Sequence, residues 1–186
     1  MKVKDVICEA LRLVGRNDAA DKICGGDTLT DEVARLNRAC LTYLNAVVDE
    51  LARGYFSPEV QRAAESDDGV IPLADLGCAP ADIKCVKAGG RAVKWHICEG
   101  YLHTRSGKVE ITCAFRPAPF EAEDEFCFPD PCVSERIVQY GIAAEYFLVL
   151  GDEACSSAWE DKYRESIDIA LGRSAVRGHI PPRRWI

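Results

Sequence analysis

The sequence predicts an α+β protein: a mainly α-helical body of four helices, one of them long, with a small antiparallel β-sheet inserted between the second and third helices and an extended C-terminal arm. Three observations predict it. Apolar residues recur at helical spacing towards both ends of the chain, with short period-two runs and paired glycines between them. Hydrophobic residues make up 48% and charged residues 28% of the 186, the balance of a chain that buries a core. From Arg173 onward the acids stop, glycine and paired prolines interrupt regular structure, and four arginines accumulate.

Residues 3–15 place Val3, Val6, Ile7, Ala10, Leu11 and Val14 on one stripe of a helix that Gly15 ends. Gly25-Gly26 then breaks the chain, and Asp27, Thr28 and Thr30 compete to cap a second helix over 29–53. Its apolar face holds Leu29, Val33, Leu36, Cys40, Leu44, Val47 and Leu51, with Asp31 and Glu32 near the positive helix start and Gly54 after its end. A β-region is expected over 70–115. Val70-Ile71-Pro72-Leu73 is extended, and Pro72 restricts it to an edge or strand end. Ile83–Lys87 and Ala92–Trp95 flank Gly89-Gly90 as a hairpin. Tyr101–His103 and Val109–Phe115 flank Arg105–Lys108 as a second hairpin, the latter strand with one wet face.

Arg116-Pro117-Ala118-Pro119 ends the sheet, and Asp130-Pro131 reads as cap and first residue of a third helix over 131–150. Val133, Ile137, Tyr140, Ala144, Phe147 and Leu148 form its expected buried side. Gly151 stops it, and Asp152 can cap a fourth helix over 153–171 carrying Trp159, Tyr163, Ile167, Ala170 and Leu171. The short link makes these two helices antiparallel neighbours. One domain over residues 1–172 is expected, followed by the arm at 173–186.

Several function classes are excluded or disfavoured. The longest apolar stretch, Ile142–Leu150, is broken by Glu145 and falls short of the roughly 20 residues that span a bilayer. The opening Met1-Lys2-Val3-Lys4-Asp5 lacks a signal-peptide core, so an intracellular product is expected. A net charge of −7 disfavours a general nucleic-acid binder. The ten cysteines show no C-x-x-C spacing; the reading is small, reduced, mostly buried side chains, not zinc ligands or a disulfide scaffold. His96, His103 and His179 have no Asp or Glu at triad or metal-pair spacing, although a Cys–His hydrolase could still assemble in space. Gly25-Gly26 and Gly89-Gly90 lack a phosphate-loop frame and read as turns. No catalytic residue, metal ligand or cofactor is expected.

Charge is unevenly placed. Glu121, Glu123, Asp124, Glu125 and Asp130 form an acidic run without a base, read as a solvated loop because it lacks the EF-hand pattern. At the other extreme, Arg173, Arg177, Ile180, Pro181, Pro182, Arg183, Arg184, Trp185 and Ile186 read as a docking arm. Arginine and aromatic residues are the side chains enriched in interface hot spots, and proline lowers the entropy lost on docking.

Residues Val3–Gly15, Leu36-Asn37 and Leu44-Asn45 in the long helix, and the late segment Tyr140–Tyr146, Leu150-Gly151, Trp159 and Tyr163 resemble the phage and prophage head-to-tail connector (adaptor, head-completion) proteins. In that family an "ALRLLG"-type helix precedes a long helix with a Leu-Asn…Leu-Asn pattern. The many cysteines and the Pro-Pro-Arg-Arg-Trp-Ile ending depart from it. The resemblance implies a structural, non-enzymatic subunit of a dodecameric ring in the virion neck, monomeric when isolated and made in the host cytoplasm. It implies binding to the portal ring and to tail or stopper proteins, with double-stranded DNA passing through and no membrane contact. The acidic run would then line the channel and the arm would grip the portal. The alternatives are a non-viral adaptor that binds one partner through its tail and, behind it, a Cys-dependent hydrolase.

Overall fold

A computed structural model describes residues 1–26 and 28–172. Its contacts divide the chain into two units, one of Met1–Leu51 with Ala118 onward and one of Ala52–Pro117, where the sequence reading drew one domain. The fold class is α+β, as expected.

The first unit is helical. Helix α1 (Val3–Leu13) buries Val3, Val6, Ile7, Ala10 and Leu11, the stripe its sequence spacing gives. A second helix, α2 (Asn17–Gly25), lies where no element is expected; it is short and its apolar face is only Ala19, Ala20 and Ile23. Helix α3 (Asp31–Glu50) is capped by Thr30, whose side chain accepts from the Val33 N–H, and it runs on into a π-helical turn over Leu51–Tyr55. Val33, Cys40, Leu44 and Val47 are buried on its predicted face, as is Leu51 in that turn.

Helix α5 (Glu135–Leu150) starts four residues later than the Asp130-Pro131 signal indicates; α4 (Leu73–Leu76) belongs to the second unit. Asp130 does cap, but it caps a turn: its carboxylate accepts from the Cys132 N–H at 2.8 Å, and Ser134 stands at the helix start. The expected one-sided face of α5 is also corrected. Ile137, Val138, Ile142, Ala143, Ala144 and Tyr146 are buried around the helix, while Leu148 is exposed and Tyr140 and Phe147 are half-buried. A helix that is apolar all round has no unique face in its sequence. Gly151 closes α5, its N–H donating to Leu148 O, and Asp152 caps α6 (Glu153–Ala170) through the Cys155 N–H at 3.0 Å. That hydrogen bond holds the Asp152 carboxyl below its ordinary range.

Helix α5 touches α1, α3 and α6. Its close approach to α3 and α6 depends on glycine at residue 141. A Cβ there would sit 2.8 Å from both Val47 methyls and 3.3 Å from the Tyr163 ring. Tyr163 is fully buried, and its hydroxyl reaches Glu50 at 3.3 Å.

The second unit holds seven strands: β1 (Glu59–Ser66), β2 (Val70–Pro72), β3 (Ile83–Ala88), β4 (Arg91–Ala92), β5 (His96–Cys98), β6 (Tyr101–His103) and β7 (Gly107–Ala114). They form two antiparallel sheets, β1-β7-β3-β4 and β2-β6-β5, in place of the single expected sheet. The hairpin around Gly89-Gly90 forms, with Ala88 opposite Arg91 and both glycines at positive φ. Val70–Pro72 is an edge strand and β7 has one wet face, both as expected. The second expected hairpin does not form. His103 pairs with His96 across a two-residue Glu99-Gly100 turn, and β7 pairs with β1, a strand the sequence reading did not place. Both sheets face one core, built from Ile71, Leu73, Leu76, Ile83, Val86, Leu102, Val109, Ile111 and Cys113. Beside it, Asp82 is buried and accepts both Nε and a terminal nitrogen of Arg116, which hold its carboxyl below the usual carboxylate range.

The Gly141 contact yields a test. In an exposed helix Gly→Ala gains up to about 1 kcal/mol. Here the added methyl meets two stiff β-branched methyls, and overpacking costs about 1–3 kcal/mol. Gly141→Ala is therefore expected to lower stability by about 1 kcal/mol or more in denaturant titration, with Gly141→Ala/Val47→Ala recovering part of the loss.

Candidate functional site

The acidic run lies in the helical unit as a strap against the start of α1. Asn45 of α3 fixes its entry: the side-chain amide donates to Phe120 O at 3.1 Å and accepts from the Phe120 N–H at 2.7 Å. Phe120 and Phe126 rings pack at 5.6 Å, and Phe126 and Phe128 are buried. The backbone is then bonded to the N-terminal residues, with Val3 N–H to Asp124 O, Lys4 N–H to Ala122 O and Phe126 N–H to Met1 O. Two lysines cover Glu123, Lys2 Nζ at 2.8 Å and Lys4 Nζ at 3.2 Å, and together they hold its carboxyl below the ordinary value. Glu121, Glu123, Asp124 and Glu125 are all exposed, with Asp124 accepting from the Glu121 N–H. The run itself holds no base and its carboxylates face solvent, as expected, while Lys2 and Lys4 staple this acidic ledge to the chain start. Its lysine partners lie about 120 residues away, where no sequence window joins them.

A second acidic surface was not foreseen. A groove of about 440 Å³ between α5 and α6 is lined by Glu50, Glu145, Glu153 and Glu160, with Leu148 and Ser156 among its other residues. Arg164 Nε binds Glu160 at 2.6 Å. Burial, and then the charge of Glu160, raise the Glu50 carboxyl above its ordinary value, against the opposing hydrogen bond from Tyr163. Beside this groove the last turn of α5 presents large apolar side chains to solvent. Leu148, Val149 and Leu150 are 56%, 67% and 62% exposed. The exposed triplet lies within the apolar stretch Ile142–Leu150, and of its three residues Leu148 is on the side expected to be buried.

The proposed arm, Arg173 to Ile186, and His179 lie outside the described residues. The other two histidines, which show no pairing by sequence spacing, are brought together: the His96 and His103 rings stack at 4.8 Å across β5 and β6. The signal for this was the Glu99-Gly100 turn, hidden because Glu99 adopts a positive φ that seldom goes with glutamate. Neither histidine is hydrogen-bonded to a cysteine among the described residues, and no three His, Cys, Asp or Glu side chains there gather as metal ligands. No helix among those residues is long and apolar enough to cross a membrane. The cysteines depart from the mostly buried expectation. Cys8, Cys40 and Cys113 are buried, Cys78, Cys85 and Cys155 are partly so, and Cys24, Cys98, Cys127 and Cys132 are exposed.

Chemically, these surfaces offer carboxylates and an apolar ledge. They suit contact with a cationic or apolar protein surface and repel phosphate. Glu50 gives a pH test. Its folded-state pKa is raised, so the fold binds the proton more tightly than the unfolded chain, and stability falls as pH rises from the ordinary glutamate range through the folded value. Glu50→Gln keeps an acceptor for Tyr163 and removes the charge. The variant is expected to melt higher than the parent at pH 7 and to match it near pH 4, in thermal scans across that range.

No protein-family model matches the chain, and no curated protein matches it at a significant level.

Proposed function

We propose that the protein is a structural virion subunit, one copy in an oligomeric head-to-tail adaptor ring that binds below a phage portal and contributes to the DNA channel. The observation that carries the reading is the last turn of α5. A helix largely buried from Ile137 to Tyr146 ends in Leu148-Val149-Leu150, three large apolar side chains turned to solvent. A ring supplies what such a turn lacks, because each subunit repeats the same contact with its neighbour or with the layer above. The acidic ledge and the Glu-lined groove fit a particle through which DNA must slide without sticking. The resemblance of Val3–Gly15 and Tyr140–Tyr163 to connector proteins points the same way, and the role asks for no catalysis, cofactor or membrane.

Partners on this reading are the portal ring and the tail or stopper proteins below it, in the neck of the virion. The arm at 173–186 supports the second reading, an adaptor that holds a single non-viral partner by its tail. Co-sedimentation with portal rings from the same genome separates the two. The intact protein is expected to travel with the portal, and Leu148→Glu/Leu150→Glu to bind at least tenfold more weakly while melting within a few degrees of the parent, since both side chains are exposed. Failure of the intact protein to bind, or full binding by the double variant, contradicts the ring. The tail adaptor instead predicts that the intact protein ignores portal rings, forms no ring, and loses its own partner when 173–186 are deleted.

A further inference from the structure

Two of the ten cysteines meet in the core of the β unit. Cys113 sits in the middle strand neighbour β7, opposite Val60 of β1 and Ile83 of β3, and is fully buried. Cys78 lies in the turn after α4, partly exposed and packed against the same core. Their Sγ atoms are 3.1 Å apart, with Cys113 donating to Cys78. A disulfide is about 2.05 Å long, so a side-chain shift of about 1 Å separates the contact from the bond. The two residues are 35 apart in sequence, which is why spacing did not reveal them.

The surroundings assign the two thiols different roles. Burial, the largest effect, pushes the Cys113 thiol up to about 12, and the hydrogen bond with Cys78 adds to it. Cys113 is therefore a protonated, shielded group, and Cys78 is the one that solvent reaches. Arg62 stands close by. It shares the core side of β1 with Val60, its guanidinium lies 3.7 Å from the space a Cβ on Gly77 would fill, and its charge favours ionisation of Cys113. A partly exposed thiol in contact with a buried one, with a cation near the buried member, is the arrangement of an oxidisable pair.

We propose that Cys78 and Cys113 are a site of reversible oxidative modification, closed to a disulfide by hydroperoxides and reopened by dithiols. In the first step the Cys78 sulfur attacks the O–O bond of the peroxide. An S–O bond forms, the O–O bond breaks, the peroxide leaves as an alcohol or as water, and Cys78 becomes a sulfenic acid. In the second step the Cys113 sulfur attacks the Cys78 sulfur. The S–S bond forms, the S–O bond breaks, and the oxygen leaves as water with the Cys113 proton. Two thiols and one hydroperoxide thus give one disulfide, one alcohol or water, and one further water. The link ties the turn after α4 to β7 and closes a loop containing β3 to β6, so it stabilises the unit that bears it.

Treatment of the full-length protein with one to two equivalents of hydrogen peroxide, followed by alkylation and peptide mass mapping without reduction, tests this. A Cys78–Cys113 linked peptide, 2 Da lighter than its two thiol halves, is expected to form ahead of any other crosslink, together with a rise of about 5–10 °C in melting midpoint that dithiothreitol reverses. Cys8 and Cys24 are the internal control, since their side chains also approach one another, at the α1–α2 contact. Cys78→Ser, a change at the partly exposed member, is expected to keep the reduced protein's midpoint and lose the peroxide-induced rise. The proposal is overturned if both thiols stay alkylatable, if Cys78 proceeds to sulfinic acid beside an unmodified Cys113, or if the rise persists in Cys78→Ser.

Discussion

At Gly141 the backbone of α5 passes so near Val47 and Tyr163 that no side chain fits between them. The helical unit depends on this approach. It lets α3 and α6 close on α5 from two sides, buries Tyr163, and brings the Tyr163 hydroxyl to Glu50. The large apolar side chains buried in this unit, Leu44, Ile142 and Ile167 among them, are each worth about 1.5–3 kcal/mol against exposure. A glycine inside a helix is locally unfavourable, so its presence here reflects tertiary packing that outweighs local propensity. The same geometry sets the candidate surface. With α6 turned back along α5 by the Gly151-Asp152 link, the groove of carboxylates forms between the two helices and the last turn of α5 is left in solvent.

The parts of the fold legible in the sequence are those decided by local periodicity. Helices α1 and α3 bury one stripe each, and that stripe is visible as spacing. The Gly89-Gly90 turn and the Asp152 cap are visible for the same reason, because a few adjacent residues carry the whole signal. Helix α5 was placed but not oriented. Its apolar residues surround the axis, so only its neighbours decide that Val138 is inside and Leu148 outside. The Asp130-Pro131 signal failed because Asp caps a turn with the same hydrogen bond it uses to cap a helix. The β pairing failed at Glu99, a side chain that does not advertise a left-handed turn; once that turn was missed, β6 was paired with β7 instead of β5.

The candidate surfaces were less legible still, since they join distant residues. The acidic run was visible, but its staple to Lys2 and Lys4 was not. Of the Leu-Asn pairs in α3, Asn45 has a structural task, clamping the backbone at Phe120, and so links the long helix to the acidic ledge. The Asn37 side-chain oxygen is buried with no hydrogen-bond partner among the described residues, and its purpose has no account in this fold. The cysteines read as small, reduced side chains; Cys40 is buried and pushed up to about 12 by desolvation, while the contact between Cys78 and Cys113 joins residues that no sequence window shows together.

The functional account therefore rests on a physical mismatch: a well-packed helix whose final turn is apolar and uncovered, beside a surface rich in carboxylates. On the proposed reading, assembly resolves that mismatch. Electron microscopy of the purified protein mixed with its portal, with the particle mass recorded alongside, tests this most directly. The account predicts an added ring of density beneath the portal, with several copies of this chain bound to each particle. An unaltered portal beside a strictly monomeric chain would contradict it.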